Sequence, residues 1–363
     1  AILNYRKALE LEPDDLRLRL VLGDILMKAR RFREAQAEAD AVLKADPRNG
    51  FGLELRGRAL RELRDYDGAL AAAEKALAED PTDLSAAFLK VTVLEGRREF
   101  ALAVQLLKEM LSRQPTGDPR QESNTRLFLI HLGFAHQQLD QPAEAAQAFR
   151  RARDLGEPDA SVWGYYVEAL QRAKDPKALE EVRAGRAKFP EDADLASLEA
   201  LIRNAAGDTA GAVAIVEALR RRQPPDADVL AQVAEFYQRA KRFADAEAVL
   251  KEARALAPRS VRLAFQLGAT LERQRRFDEA EAVFREALQA EPDSPCVLNY
   301  LGYMNANRGV KLEESLQLIQ RALELDPENG AYLDSLGWAY FRLGRYTEAE
   351  GPLRRAAEKQ PGA

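Results

Sequence analysis

The chain is 363 residues long, carries 54 Lys and Arg against 59 Asp and Glu, and has a formal charge of −5. Charges of both signs are interleaved along it, which disfavours the basic stripe that nucleic-acid binding requires. No run of 18 apolar residues is available to span a membrane, and the single cysteine, Cys296, excludes an intrachain disulfide framework.

Eleven of the 17 prolines keep a common spacing: Pro13, Pro47, Pro81, Pro115, Pro158, Pro190, Pro224, Pro258, Pro292, Pro327 and Pro361. The gaps are 34 residues except for 43 before Pro158, 32 before Pro190 and 35 before Pro327. Such a period signals stacked supersecondary units. Proline suits the boundary, because it lacks the N–H that helix continuation needs and biases its predecessor away from the helical region.

In chain order, a half unit opens the sequence at Ala1, and regular units fill an N-terminal block, residues 1–115. Residues 116–125 follow as an irregular loop, rich in turn formers and free of apolar side chains. The loop reads either as a tolerated surface insertion or as a hinge before the C-terminal block, residues 126–363. Within that block, 159–224 is degenerate: the gap to Pro190 is short and Leu179 stands where an alanine is expected. Residues 227–363 are regular again, apart from one inserted residue near Val310-Lys311.

The stretch from Val261 to Pro292 shows one unit clearly. Ala264, Leu267, Gly268 and Leu271 make an apolar stripe with helical period, a break follows at Arg275-Arg276-Phe277-Asp278, and Ala280, Phe284 and Ala287 mark a second helix. Gly268 and Ala280 stand where two antiparallel helices must approach closely. The Leu-Gly pair recurs at Leu22-Gly23, Leu132-Gly133, Leu301-Gly302 and Leu336-Gly337. The small residue of the second helix recurs at Ala1, Ala35, Ala69, Ala103, Ala145, Ala212, Ala246, Ala280, Ser315 and Ala349.

This pattern resembles the tetratricopeptide repeat family, a 34-residue helix-turn-helix unit closed by proline. The resemblance implies an all-α, right-handed superhelical solenoid of about ten repeats plus a leading half-repeat. It also implies a protein-protein interaction scaffold, gripping a partner protein or peptide in a concave groove lined by the first helices. Residue 1 falls at the start of a second helix, and Leu353 and Ala356 face a neighbour that is not there, so the sequence reads as a piece of a longer protein.

Catalysis is not expected, nor a metal or cofactor. His131 and His136 lie five residues apart and do not share a helix face, so they make a poor metal pair. His136 reads as a satisfied core histidine and Cys296 as a buried, inert thiol. No Gly-rich phosphate loop follows a strand.

The groove stripe implied by the resemblance holds Arg262, Phe265, Ala269 and Glu272; then Cys296, Asn299, Tyr303 and Ala306; then Ala331, Asp334, Trp338 and Phe341. Aromatics on a face the core does not need mark an interface, and three Asn inside one helix, Asn299, Asn305 and Asn307, go against helix propensity. Phe265, Asn299, Tyr303, Asn307, Asp334, Trp338 and Phe341 are therefore the candidate partner-binding residues. A second candidate patch comprises Phe88, Ile130 and Phe134, with Thr92, Leu127 and Gln137; these could equally pack around the irregular loop. Trp163 and Tyr166 read as core. The Lys, Arg and Asn clamp by which some family members hold chaperone C-termini is not recognisable at Leu20, Asp24, Glu54, Ala231 and Glu235.

Residues 299–338 further resemble a bacterial subgroup of envelope proteins held at the outer membrane by an N-terminal lipid, although no lipid-attachment motif is present. The compartments this leaves are the bacterial periplasm and the cytoplasm. Two rival readings stand beside the scaffold: a module that self-associates, and the regulatory arm of a larger enzyme.

Overall fold

The computed structural model describes residues 1–113 and 119–359. Among the described residues there are 21 α-helices and no strand. They fall into two compact units, Ala1–Pro190 and Glu191–Ala363.

The first unit holds α1 (Ile2–Leu11), then the pairs α2 (Leu16–Lys28) with α3 (Phe32–Ala45), α4 (Gly50–Glu62) with α5 (Tyr66–Glu79), and α6 (Leu84–Gly96) with α7 (Phe100–Ser112). It continues with α8 (Pro119–Gln138) and α9 (Pro142–Arg153), then α10 (Ala160–Arg172) and α11 (Ala178–Lys188). The second unit pairs α12 (Ala193–Ala205) with α13 (Thr209–Arg220), α14 (Ala227–Arg239) with α15 (Phe243–Leu256), and α16 (Val261–Arg273) with α17 (Phe277–Ala290). It ends with α18 (Pro295–Arg308) and α19 (Leu312–Leu325), then α20 (Gly330–Arg342) and α21 (Tyr346–Lys359). The predicted half-repeat and ten repeats are thus all present.

First helices start on polar caps. Asp15, Asn49, Asp83, Asp159, Asp192, Asp226, Ser260 and Asn329 each accept a backbone N–H of the first turn. Such a cap contributes about 1 kcal/mol. The turn to the second helix passes through one left-handed residue, and in most repeats that residue is a cation: Arg30, Arg64, Arg98, Lys174, Lys241 and Arg275, with φ between 55° and 64°. Gly207 and Gly344 take the same place in two others.

The small residues make close approach possible. A Cβ on Gly268 would lie 2.5 Å from the ring of the fully buried Phe284, so alanine there would force the ring or the helices to shift. Ala35, Ala69, Ala103, Ala145, Ala212, Ala246 and Ala280 are fully buried.

Two expectations change. Residues 119–125 are helical, not loop: Pro119 opens α8, which runs for 20 residues. Residues 119–125 are polar in sequence, so apolar periodicity could not reveal this part of the helix. Residues 116–118, with Pro115 and Pro361, lie outside the described residues. In the degenerate stretch Ala178 is buried, one position before Leu179, and Val182 continues the core stripe. The small residue is therefore present but shifted by one.

Candidate partner-binding face

The first helices α16, α18 and α20 carry the candidate residues. On α16, Phe265 is half-buried, edge-to-face with Tyr300 at 5.2 Å and 6.0 Å from Phe284. It belongs as much to the packing as to the surface. Burial first, then the charge of Glu272, pushes the Tyr300 hydroxyl up to about 12, so it remains a neutral donor. It donates to Glu272 Oε2 at 3.5 Å.

On α18, Tyr303 is 39% exposed and Asn307 is exposed. Asn299 is half-buried, and its Oδ1 is enclosed with no hydrogen-bond partner. Two stripe residues are corrected. Ala306 is fully buried in a cluster with Leu316, Ile319 and Ala339, because α20 packs over this end of α18. Cys296, expected as a buried thiol, is exposed at the start of α18. Asn305 is fully buried with both amide atoms unpartnered.

On α20, Asp334 is exposed and forms no ion pair among the described residues. Trp338 is half-buried against the Ala306 cluster, yet its Nε1 is enclosed without an acceptor. Phe341, 47% exposed, stacks on Trp338 at 5.4 Å and 17°. Arg342 covers Trp338 at 5.8 Å and donates to the Asn307 carbonyl, tying α20 to α18. Tyr346, 65% exposed, extends the row 5.5 Å beyond Phe341. Sequence reasoning missed it, since an aromatic opens most second helices. At two of these positions the next pair covers the aromatic: Arg308 lies 4.5 Å over Phe277, and Gly96 of α6 packs on the Tyr66 ring. No such cover exists at Tyr346 among the described residues.

The second candidate patch separates into two aromatic groups. Phe88 packs on Phe128 at 5.5 Å and on His131 at 4.9 Å. Phe134 packs on Phe149 at 5.2 Å and on Tyr165 at 4.9 Å. Ile130 is half-buried in the first of these clusters, and Phe134 stays 36% exposed. His131 Nδ1 lies 3.0 Å from both Glu95 carboxylate oxygens, and His136 Nδ1 lies 2.6 Å from Gln141 Oε1. Trp163 donates Nε1 to the Glu181 carbonyl at 2.9 Å, and Tyr166 is buried. Among the described residues no group of three or more potential metal ligands converges, and no helix is long and apolar enough to cross a membrane.

Stacked helix pairs, with small residues at the helix crossings and aromatics left on first helices, define a helical-repeat protein. The sequence model of the tetratricopeptide repeat family matches residues 1–50, 20–83, 54–119, 234–295 and 311–363, together more than half of the chain. The chain belongs to the tetratricopeptide repeat family. A 71-residue stretch is 42% identical to a TPR repeat-containing protein of Pseudomonas aeruginosa, which makes this a repeat protein of bacterial type. That stretch is 20% of this chain and 12% of the relative, so the chain matches only about an eighth of the relative's length. Among solved structures, yeast Tom70 superposes with a TM-score of 0.51 at 16% identity, over 95% of this chain and 85% of that one. A tetratricopeptide repeat protein from Parabacteroides merdae gives 0.50 at 15% identity, over 70% and 98%. These likenesses show the fold. In general terms the family's fold is a protein-interaction scaffold, typically without catalysis.

Proposed function

We propose that the chain is a non-enzymatic adaptor that holds a segment of a partner protein on the first-helix face of its second unit, over α16, α18 and α20. The observation that carries this reading is the row Tyr303, Trp338 and Phe341, half-buried or exposed on the first helices α18 and α20, with Trp338 and Phe341 stacked. Such aromatics anchor interfaces because they bury much area for little lost side-chain freedom. The enclosed Asn299 Oδ1 and Trp338 Nε1 add one acceptor and one donor without partners. Buried polar atoms in that state cost free energy until something bonds them. Asp334 supplies a negative charge beside them on α20, which suits a basic side chain on the partner.

The test is a photoreactive side chain placed at Asn307, exposed one turn after Tyr303 on α18, or, as a control, at Glu286 on a second helix. We expect partner adducts from 307 and none from 286, and loss of the 307 adducts in Tyr303→Ala/Phe341→Ala with far-UV dichroism unchanged. Phe341 is chosen over Trp338 because Trp338 also packs on the Ala306 cluster. Equal adduct yields at the two positions, or adducts that survive the double substitution, would sink the assignment.

A further inference from the structure

A separate cavity lies in the first unit, between α7, α8 and α9. It has a volume of about 340 Å³, at the lower end of small-molecule sites. Three residues after the close-approach position most first helices carry Leu, as at Leu26, Leu60, Leu94, Leu170 and Leu271, whereas α14 and α20 carry Tyr237 and Tyr340, and α8 carries His136. The Tyr237 hydroxyl donates to Glu217 Oε1 on α13 at 2.7 Å, and the Tyr340 hydroxyl accepts from Gln320 Nε2 on α19 at 3.2 Å. Lys108 holds the matching place on α7, but the imidazole lacks the reach of a phenol and no hydrogen bond joins the two. The space remains open.

His136 is 4% exposed and lines this space. Its Nδ1 is engaged by Gln141 Oε1, so in the neutral ring Nδ1 carries the proton and Nε2 is the lone-pair acceptor. Nε2 has no partner among the described residues. Leu111, Leu132 and Ala148 supply apolar wall, while the exposed Lys108, Arg151 and Glu144 line the solvent side, two cations to one carboxylate. None of these three charged groups has an ion-pair partner among the described residues, so this side is net positive.

The geometry points to a binding site for a small hydroxy-aromatic acid. Its ring takes the place that the Tyr237 and Tyr340 rings hold in the repeats of α14 and α20, its hydroxyl donates to His136 Nε2, and its carboxylate meets Lys108 and Arg151. The site is independent of the partner-binding face, which lies in the other unit.

Titration calorimetry of the full chain with 4-hydroxybenzoate tests this. We expect saturable binding at one site per chain. Benzoate, which lacks the hydroxyl, and 4-hydroxybenzyl alcohol, which lacks the acid, should each bind at least about tenfold more weakly, because each leaves a site group unpaired. His136→Tyr should abolish binding by filling the cavity as Tyr237 and Tyr340 do, and Lys108→Met, at an exposed position, should weaken it about tenfold with helix content unchanged. No saturable heat from 4-hydroxybenzoate, equal binding of the three probes, or binding indifferent to both substitutions would overturn the proposal.

Discussion

At Gly302 an added Cβ would lie 2.7 Å from Ile319 Cγ1 and 2.9 Å from the Ser315 carbonyl oxygen. The second contact is with backbone, which cannot rotate away, so α18 and α19 would have to separate. Gly164 on α10 is the opposite case: its Cβ would meet nothing within 4 Å. Gly302→Ala should therefore cost about 1–3 kcal/mol by overpacking. Gly164→Ala should gain about 0.5–1 kcal/mol, because alanine loses less backbone entropy in a helix. Urea midpoints followed by far-UV dichroism check both signs. Equal shifts would mean that close approach does not explain the recurring glycine. The exposed stripe on α18 and α20 was legible at Tyr303, Asp334 and Phe341 through the family resemblance, which implies a first-helix face off the core. Ala306 was not, because the way α20 settles over α18 is a tertiary fact with no local signature.

Between helix pairs of the second unit, buried carboxylates make the connection. Glu247, on α15 next to the small Ala246, is 8% exposed and accepts from Lys251 at 2.7 Å, from Gln274 at 2.9 Å and from Arg276 of the following pair. Glu281 on α17 repeats the arrangement with Arg285 and Lys311. Burial pushes Glu247 up, but the hydrogen bonds from Lys251, Gln274 and Arg276 outweigh it and bring the carboxyl from its ordinary 4.5 down to about 2. A folded value below the unfolded one means the stabilisation is full above the ordinary value and is lost as pH falls toward about 2. Glu247→Gln should cost about 1–2 kcal/mol at neutral pH, with the gap to the parent closing as pH falls from 4.5 to about 2. Urea unfolding of both proteins at neutral pH and near the lower limit measures it; a constant gap would refute the linkage. Helix pairing itself was legible from proline, alanine and glycine spacing, which are direct packing requirements. The start of α8 at Pro119 was not, since residues 119–125 are polar and carry no apolar periodicity. Tyr346 was illegible as a surface group for the converse reason: its residue type is that of the covered aromatics Tyr66 and Phe277.

For the whole molecule, stability in a stack of repeats is a sum of unit terms and nearest-neighbour terms, so a single global unfolding transition is not required. The chain divides into two compact units, and its two tryptophans fall one in each, Trp163 in the first and Trp338 in the second. Each sits among groups that unfolding must remove. Trp163 donates to the Glu181 carbonyl and has the Arg153 guanidinium 4.9 Å from its ring centre, and Trp338 stacks on Phe341. Trp163→Phe and Trp338→Phe therefore leave one emitter apiece, reporting the second and the first unit respectively. Adding Gly302→Ala to each separates local from global behaviour. In the Trp163→Phe background the Trp338 signal should move to lower urea by an amount set by the overpacking cost. In the Trp338→Phe background the Trp163 signal should hold its midpoint, because the atoms nearest an added Gly302 Cβ, on Ser315 and Ile319, belong to the second unit. Equal displacement of both emission transitions would show that the chain unfolds as one cooperative body. The two-unit division would then describe its packing and not its energetics.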